Sequence, residues 1–274
     1  MEAMQRLRKW FVVPALIGAL ALACWPGGDD TVDYLERPDA IIIQMLNVSG
    51  QPLLKIADRL TLPEFTLYGD GTLIFTESDG DGAPRLLQAE LPKDAIEDLL
   101  AFIVGEGFLD FAYEHEGEPG ADDTTTTFLY VNTKAGVNST SADDLGAESP
   151  AARPDELRSI AEIVQRLSGL DPAALGGRVV GPYEYGEIAL FVEPVIIYDG
   201  GPQPWPVDGV DLAALAPPDS AVGRQVFTLA DAAELLEVLP ASGQGFYRQG
   251  DRLFFVGYRP LLPFEENFPE FDFP

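Results

Sequence analysis

The stretch FTLYGDGTLIFT, Phe65 to Thr76, constrains this chain more than any other. Two runs rich in β-branched and aromatic residues flank Asp70-Gly71, a dipeptide that supplies the positive φ angles of a two-residue hairpin turn. A tight hairpin imposes antiparallel pairing, because parallel neighbours need a long crossover between them. The chain therefore starts a sheet, and its remaining segments must cover that sheet.

The neighbouring segments supply strands and covers in turn. Ala40 to Leu46 reads as the first strand, and RLLQAEL follows the hairpin after the polar turn SDGDGAP. In LPKDAIEDLLAFIVGEGFL, Ile96, Leu99, Leu100 and Ile103 share one helical face, with Gly105 and Gly107 marking its end. Thr124 to Val131 returns to strand, NTKAG turns, and VNSTS pairs back. A second helix starts at Pro154, where Asp155 and Glu156 meet the positive helix end; Leu157, Ile160, Val164 and Leu167 form its stripe and Gly169 stops it. Strands, helix, strands, helix predict an α+β fold, with antiparallel sheets and helices packed on one face.

From Asp171 the texture changes. EIALFVEPVIIY reads as a strand that is bent or at an edge at Pro194, YDGGPQPWP is loop, and Arg224 to Thr228 is a short strand. Thr228 and Asp231 cap a helix whose Ala232, Leu235, Leu236 and Leu239 face inward. FYRQGDRLFFVGYRP is a second hairpin, turning at Gly250-Asp251. This divides the chain into two similar-sized halves, residues 40–170 and 171–263, behind a tether (24–39) and before an acidic, aromatic tail (264–274). DAIEDLL and DAAELLE are similar words that raise a duplication, yet such helix words also arise by chance.

Cys24 is the only cysteine. It follows a basic cluster (Arg6, Arg8, Lys9) and a charge-free run from Phe11 to Ala23, which suits a signal-peptide core and is shorter than the ~20 residues of a membrane span. With Ala21 and Ala23 flanking Leu22, the site resembles the lipobox of bacterial lipoproteins, although leucine is more usual where Ala21 stands. That resemblance implies a signal peptide over residues 1–23, a diacylglycerol-bearing and palmitoylated Cys24 as the mature N-terminus, and a membrane-anchored extracytoplasmic protein. The alternative is an ordinary cleaved signal with a stray cysteine. FTLYGDGTLIF, TTTTFLYV, the Trp205-Pro206 dipeptide and the closing YRPLLP also resemble an uncharacterised group of secreted bacterial lipoproteins, from about residue 40 to residue 266. This group implies location and fold, and no activity.

The whole chain carries a formal charge of −28; residues 1–23 hold three basic residues and Glu2, so the mature part stands at −30. Such a field repels nucleic acid and anionic headgroups, and keeps a tethered domain in solution. No catalytic constellation stands out. His115, the lone histidine, has Glu114 and Glu116 beside it but no second histidine or available cysteine, so neither a metal site nor a Ser-His-Asp triad is expected. Asp79 and Asp81 have the spacing of calcium ligands and Glu90 falls at the twelfth position, but Ala83 and Pro84 break the loop pattern. No glycine-rich nucleotide motif is present, so no cofactor is expected. Asp122-Asp123 and Asp143-Asp144 read as loop acids.

Two aromatic features remain as contact candidates. Trp205 stands on a proline-stiffened loop, either facing a sugar or a partner or, as the favoured reading, plugging the core edge. In LPFEENFPEFDFP, Phe264 is expected to dock, leaving Phe268, Phe271 and Phe273 for a partner. The sequence thus predicts a non-catalytic binding or scaffolding role at the cell envelope, through a protein or glycan partner. The alternative is an envelope-polymer hydrolase using acidic residues.

Overall fold

The computed structural model describes residues 32–49, 55–77, 85–112, 114–115, 125–145, 154–196, 200–217, 222–240 and 243–267. They belong to one compact α+β unit dominated by sheet.

The first sheet has eight strands in the order β5-β7-β6-β1-β2-β3-β4-β8. These are β1 (Ile41–Ser49), β2 (Phe65–Tyr68), β3 (Thr72–Glu77), β4 (Arg85–Glu90), β5 (Glu114–His115), β6 (Thr125–Asn132), β7 (Val137–Asp143) and β8 (Arg178–Pro182). All neighbours run antiparallel except β5 with β7. The five-stranded second sheet contains β9 (Glu187–Val195), β10 (Gln203–Pro204), β11 (Gly223–Thr228), β12 (Gln244–Gln249) and β13 (Arg252–Pro260), ordered β10-β12-β13-β9-β11. Five helices accompany them: α1 (Ile56–Leu60), α2 (Lys93–Gly105), α3 (Asp155–Ser168), α4 (Leu212–Leu215) and α5 (Ala233–Val238).

The β2–β3 hairpin forms where expected, but with a different turn. The pair Leu67↔Leu73 leaves Gly69, Asp70 and Gly71 in a three-residue loop, closed by the Gly71 amide on the Tyr68 carbonyl at 3.0 Å. Only Gly71 has positive φ, at 90°. Asp70 instead accepts the Thr72 amide on its carboxylate at 2.9 Å. A tight turn ended by one left-handed glycine thus replaces the expected pair of positive angles. The glycines also allow close approach: a Cβ on Gly69 would collide with the Leu35 carbonyl, and one on Gly71 with that of Leu91. In β12–β13, Gly250-Asp251 is a two-residue turn with φ 61° at Gly250 alone.

On one face of the first sheet, Ile43, Met45, Leu67, Leu73 and Leu129 pack under α2 and α3. All four residues expected on the inner face of α2 are buried there. The buried stripe of α3 is turned toward Ile163, with Ile160 and Leu167, while Leu157 and Val164 lie at its margin. The tether is shorter than expected. Tyr34 is buried, Val32 packs against this core, and the Lys134 amide bonds the Asp33 carbonyl at 2.8 Å. Residues 32–39 therefore belong to the body, because Val32 and Tyr34 pack against its core and the Asp33 carbonyl holds the β6–β7 turn.

The second sheet has helices on both faces, not on one. Leu212 of α4 and Leu235 of α5 cover Leu190, Val192, Phe254 and Val256. On the opposite face, Ala189, Phe191 and Phe255 meet Ile56 and Leu60 of α1. Helix α1 has no long periodic pattern in the sequence. It leaves the first sheet between β1 and β2, donates the Ile56 amide to Glu193 Oε2 at 2.8 Å, and lays Leu60 over Gly257, where a Cβ would collide. In return Leu262, from beyond β13, packs on the back of the first sheet with Ile41, Tyr68 and Ile74. Strand β8 also lies beyond residue 170 yet pairs with β4. The change from one sheet to the other therefore falls between β8 and β9, and the two sheets exchange segments. Pro194 pairs with Phe254 beyond the end of β11, so its missing amide faces no strand on the outer side.

Candidate contact groove

Strand β13 runs out through Pro260 into a strap, Leu261-Leu262-Pro263-Phe264, fixed by hydrogen bonds from both sheets. The Leu261 amide donates to the Glu187 carbonyl at 3.0 Å. The Tyr183 hydroxyl donates to the Leu261 carbonyl at 3.0 Å, and that of Tyr68 to the Pro263 carbonyl at 2.8 Å. Phe264 turns back with φ 54° and sets its ring edge-on to Tyr68, 6.3 Å between centroids. It docks as the sequence suggested.

Glu265 locks the strap. Arg259 grips its carboxylate with Nη1 and Nη2, each at 2.7 Å, and the Leu262 amide adds a bond at 3.3 Å. The Arg259 and Glu265 side chains are 12% and 10% exposed, so the pair is shielded from salt and water. Arg259 also donates Nε to the Arg59 carbonyl of α1 at 2.7 Å, joining strap, sheet and exchanged helix. Burial, then the Glu265 charge, pushes the Tyr183 hydroxyl up to about 12. Burial, followed by Tyr183 and Glu265, also raises Tyr68. Both phenols therefore stay protonated at neutral pH and keep donating to the strap.

Between this strap and β11 lies an open groove of about 630 Å³, lined by Tyr183, Glu187, Arg224, Val226, Phe264 and Glu266. Val226 and Phe264 are 42% and 38% exposed, so the floor offers apolar surface. Arg224 leans across it to Glu265 at 3.4 Å.

The other contact and metal candidates fall elsewhere. Trp205 packs edge-on against Tyr247 at 5.2 Å and donates its indole N–H to the Val210 carbonyl at 3.1 Å. Its polar atom is thus spent inside the second core, as in the plug reading. Cys24, Phe268, Phe271, Phe273, Asp79, Asp81, Asp122 and Asp123 lie outside the described residues. The backbone of His115 pairs with Ala142 at the sheet edge. Glu90 pairs with Arg178 at 2.8 Å. Asp143 accepts the Thr126 hydroxyl at 2.6 Å and Asp144 the Thr125 amide at 3.3 Å, so these acids fasten the β6–β7 end. Among the described residues no group of three or more His, Cys, Asp and Glu could hold a metal, and no helix is long and apolar enough to cross a membrane.

Asp58 on α1 escaped the sequence reading. Its Oδ1 is buried without a hydrogen-bond partner, and burial, opposed by Arg59 and reinforced by Glu193, raises its carboxyl. The groove does not reach it. Nor did the sequence single out Tyr183, Arg224, Arg259 or Glu265, which no spacing connects.

The chain matches no protein-family model, no curated protein and no solved structure.

Proposed function

We propose that the chain is a lipid-anchored protein of the extracytoplasmic face of the membrane, with a non-catalytic binding role at the envelope. The observation that carries this reading is Cys24, the only thiol, at the end of a charge-free run behind a basic cluster. The packed body starts by Val32, so residues 25–31 would link it to the lipid. The groove beside the strap supports protein binding: it combines exposed apolar side chains with a fixed rim. The glycan reading leaned on Trp205, whose indole N–H is engaged within the fold. An envelope-polymer hydrolase would need converging carboxylates in a cleft, and the raised carboxyl of Asp58 sits outside the groove.

Cys24→Ser, expressed in a bacterium, is expected to leave the membrane fraction or to accumulate unprocessed. Equal membrane retention, with an unchanged mass for the mature N-terminus, overturns the anchor.

A further inference from the structure

A sheet edge exposes unpaired amides and carbonyls, and proteins ordinarily blunt it. Three of the four edges here are blunted. Strands β5 and β10 are two residues long, and β10 ends in Pro204. Strand β8 carries a register shift opposite Gln88 and Ala89, φ 141° at Gly181, a terminal Pro182 and an ion pair from Arg178 to Glu90. Strand β11 carries an ion pair too, Arg224 to Glu265, but none of the backbone devices. It holds an unbroken register with β9 from Gly223↔Val192 to Thr228↔Glu187, contains no proline, and has no strand paired to its outer side among the described residues.

Its hydrogen-bond phase can be read from the end of the ladder. The Leu229 amide donates to the Gly186 carbonyl at 3.0 Å. Alternation along an antiparallel pair then turns Gly223, Gln225 and Phe227 toward β9, and Arg224, Val226 and Thr228 outward. The Thr228 carbonyl is taken by the Ala232 amide at 2.9 Å. Arg224 and Val226 thus offer both backbone groups, and Thr228 its amide. The side chains of Arg224 and Val226 line the groove, so a strand laid on this edge would also reach its apolar floor.

We propose that β11 is a docking edge for an extended, basic segment of a protein partner, which adds to the second sheet as a further strand. The proposal rests on the binding role above and names its partner class. Charge selects the occupant. Glu187 and Glu266 rim the groove, Asp231 stands at the far end of β11, Arg224 is turned to Glu265, and the chain as a whole carries −28. An acidic strand is repelled from this edge, and a cationic one is steered toward it.

The probe is a fluorescein-labelled peptide, Lys-Thr-Lys-Val-Lys-Thr-Lys, titrated into the full chain, with its glutamate-for-lysine counterpart as comparison. The basic peptide is expected to bind, to weaken with added salt, and to slow amide exchange at Arg224, Val226 and Thr228. Val226→Pro removes an outward amide that the β9 ladder does not use, so the fold is kept while binding weakens about tenfold or more, from the lost backbone bonds. Should that variant melt below the wild type, the exchange of the wild-type Val226 amide decides the matter by itself. Absence of protection at Val226, equal binding of the acidic peptide, or full binding by a folded Val226→Pro protein each overturns the proposal. If protection fails while Cys24→Ser still leaves the membrane, the edge is wrong and the anchor stands; the converse pair of results removes the anchor and keeps the edge.

Discussion

In the eight-stranded sheet, two helices of 13 and 14 residues cover one face; in the five-stranded sheet, the helices are 4 to 6 residues long and share the cover with Val207 and Val210. A long amphipathic helix brings several apolar side chains to a sheet at one orientation, so its packing follows from its own periodicity. Helices as short as α1, α4 and α5 are unstable alone and take their place from what they touch. Asp211 caps α4 by accepting the Ala213 and Ala214 amides, but Leu212 also needs its amide held by Gln249 of β12, at 2.8 Å. The first sheet is thus closed by helices whose own periodicity sets the face they bury, and the second by pieces that only the assembled fold orders.

The largest expected effect separates the two cores. Leu100 on α2 is fully buried beneath a rigid helix–sheet layer, and Leu235 is equally buried but on the six-residue α5. Leu100→Ala should cost about 4 kcal/mol and Leu235→Ala about 2 kcal/mol, because a short helix can settle into the cavity. Urea unfolding of both variants measures the gap. Equal losses would show that the second layer is as stiff as the first.

The two hairpin turns give a smaller contrast. Both hold a glycine at positive φ, 90° at Gly71 and 61° at Gly250, but only Gly71 is pressed against another backbone, the Leu91 carbonyl. Gly250→Ala meets strain alone and should cost about 1 kcal/mol, whereas Gly71→Ala adds the collision and should cost about 2–3 kcal/mol. If the two midpoints shift alike, the close approach at Gly71 contributes nothing.

The smallest effect concerns Asp58, where α1 sits on the second sheet. Its folded carboxyl is raised above the ordinary 3.8, mainly by burial and further by Glu193, with Arg59 pulling the other way. The ionised form is therefore disfavoured in the fold. The stability linked to its protonation is fully present below the unfolded pKa and is lost as pH rises through the folded one. Asp58→Asn should raise the melting temperature slightly at pH 7, with the difference vanishing below about pH 4. A constant difference across that range would mean that the carboxyl does not titrate there.

What the sequence determined by itself is the local grammar. Ile96, Leu99, Leu100 and Ile103 announce α2 through their spacing, and the β-rich runs around Asp70-Gly71 and Gly250-Asp251 announce both hairpins, because periodicity and turn chemistry act within a dozen residues. Tertiary structure decided the rest. The Leu35 and Leu91 carbonyls press on the turn of the first hairpin so closely that neither Gly69 nor Gly71 has room for a Cβ. The short α1 reads as helix only once the second sheet lies beneath it, since five residues cannot declare a face. The candidate groove is the extreme case: Tyr68, Tyr183, Arg224 and Glu265 come from four separated segments, and the carboxylate that joins them is buried between cations no spacing connects. Such a network is set by the exchange of segments between two sheets, which is a property of the whole chain and leaves no periodic trace in any one part.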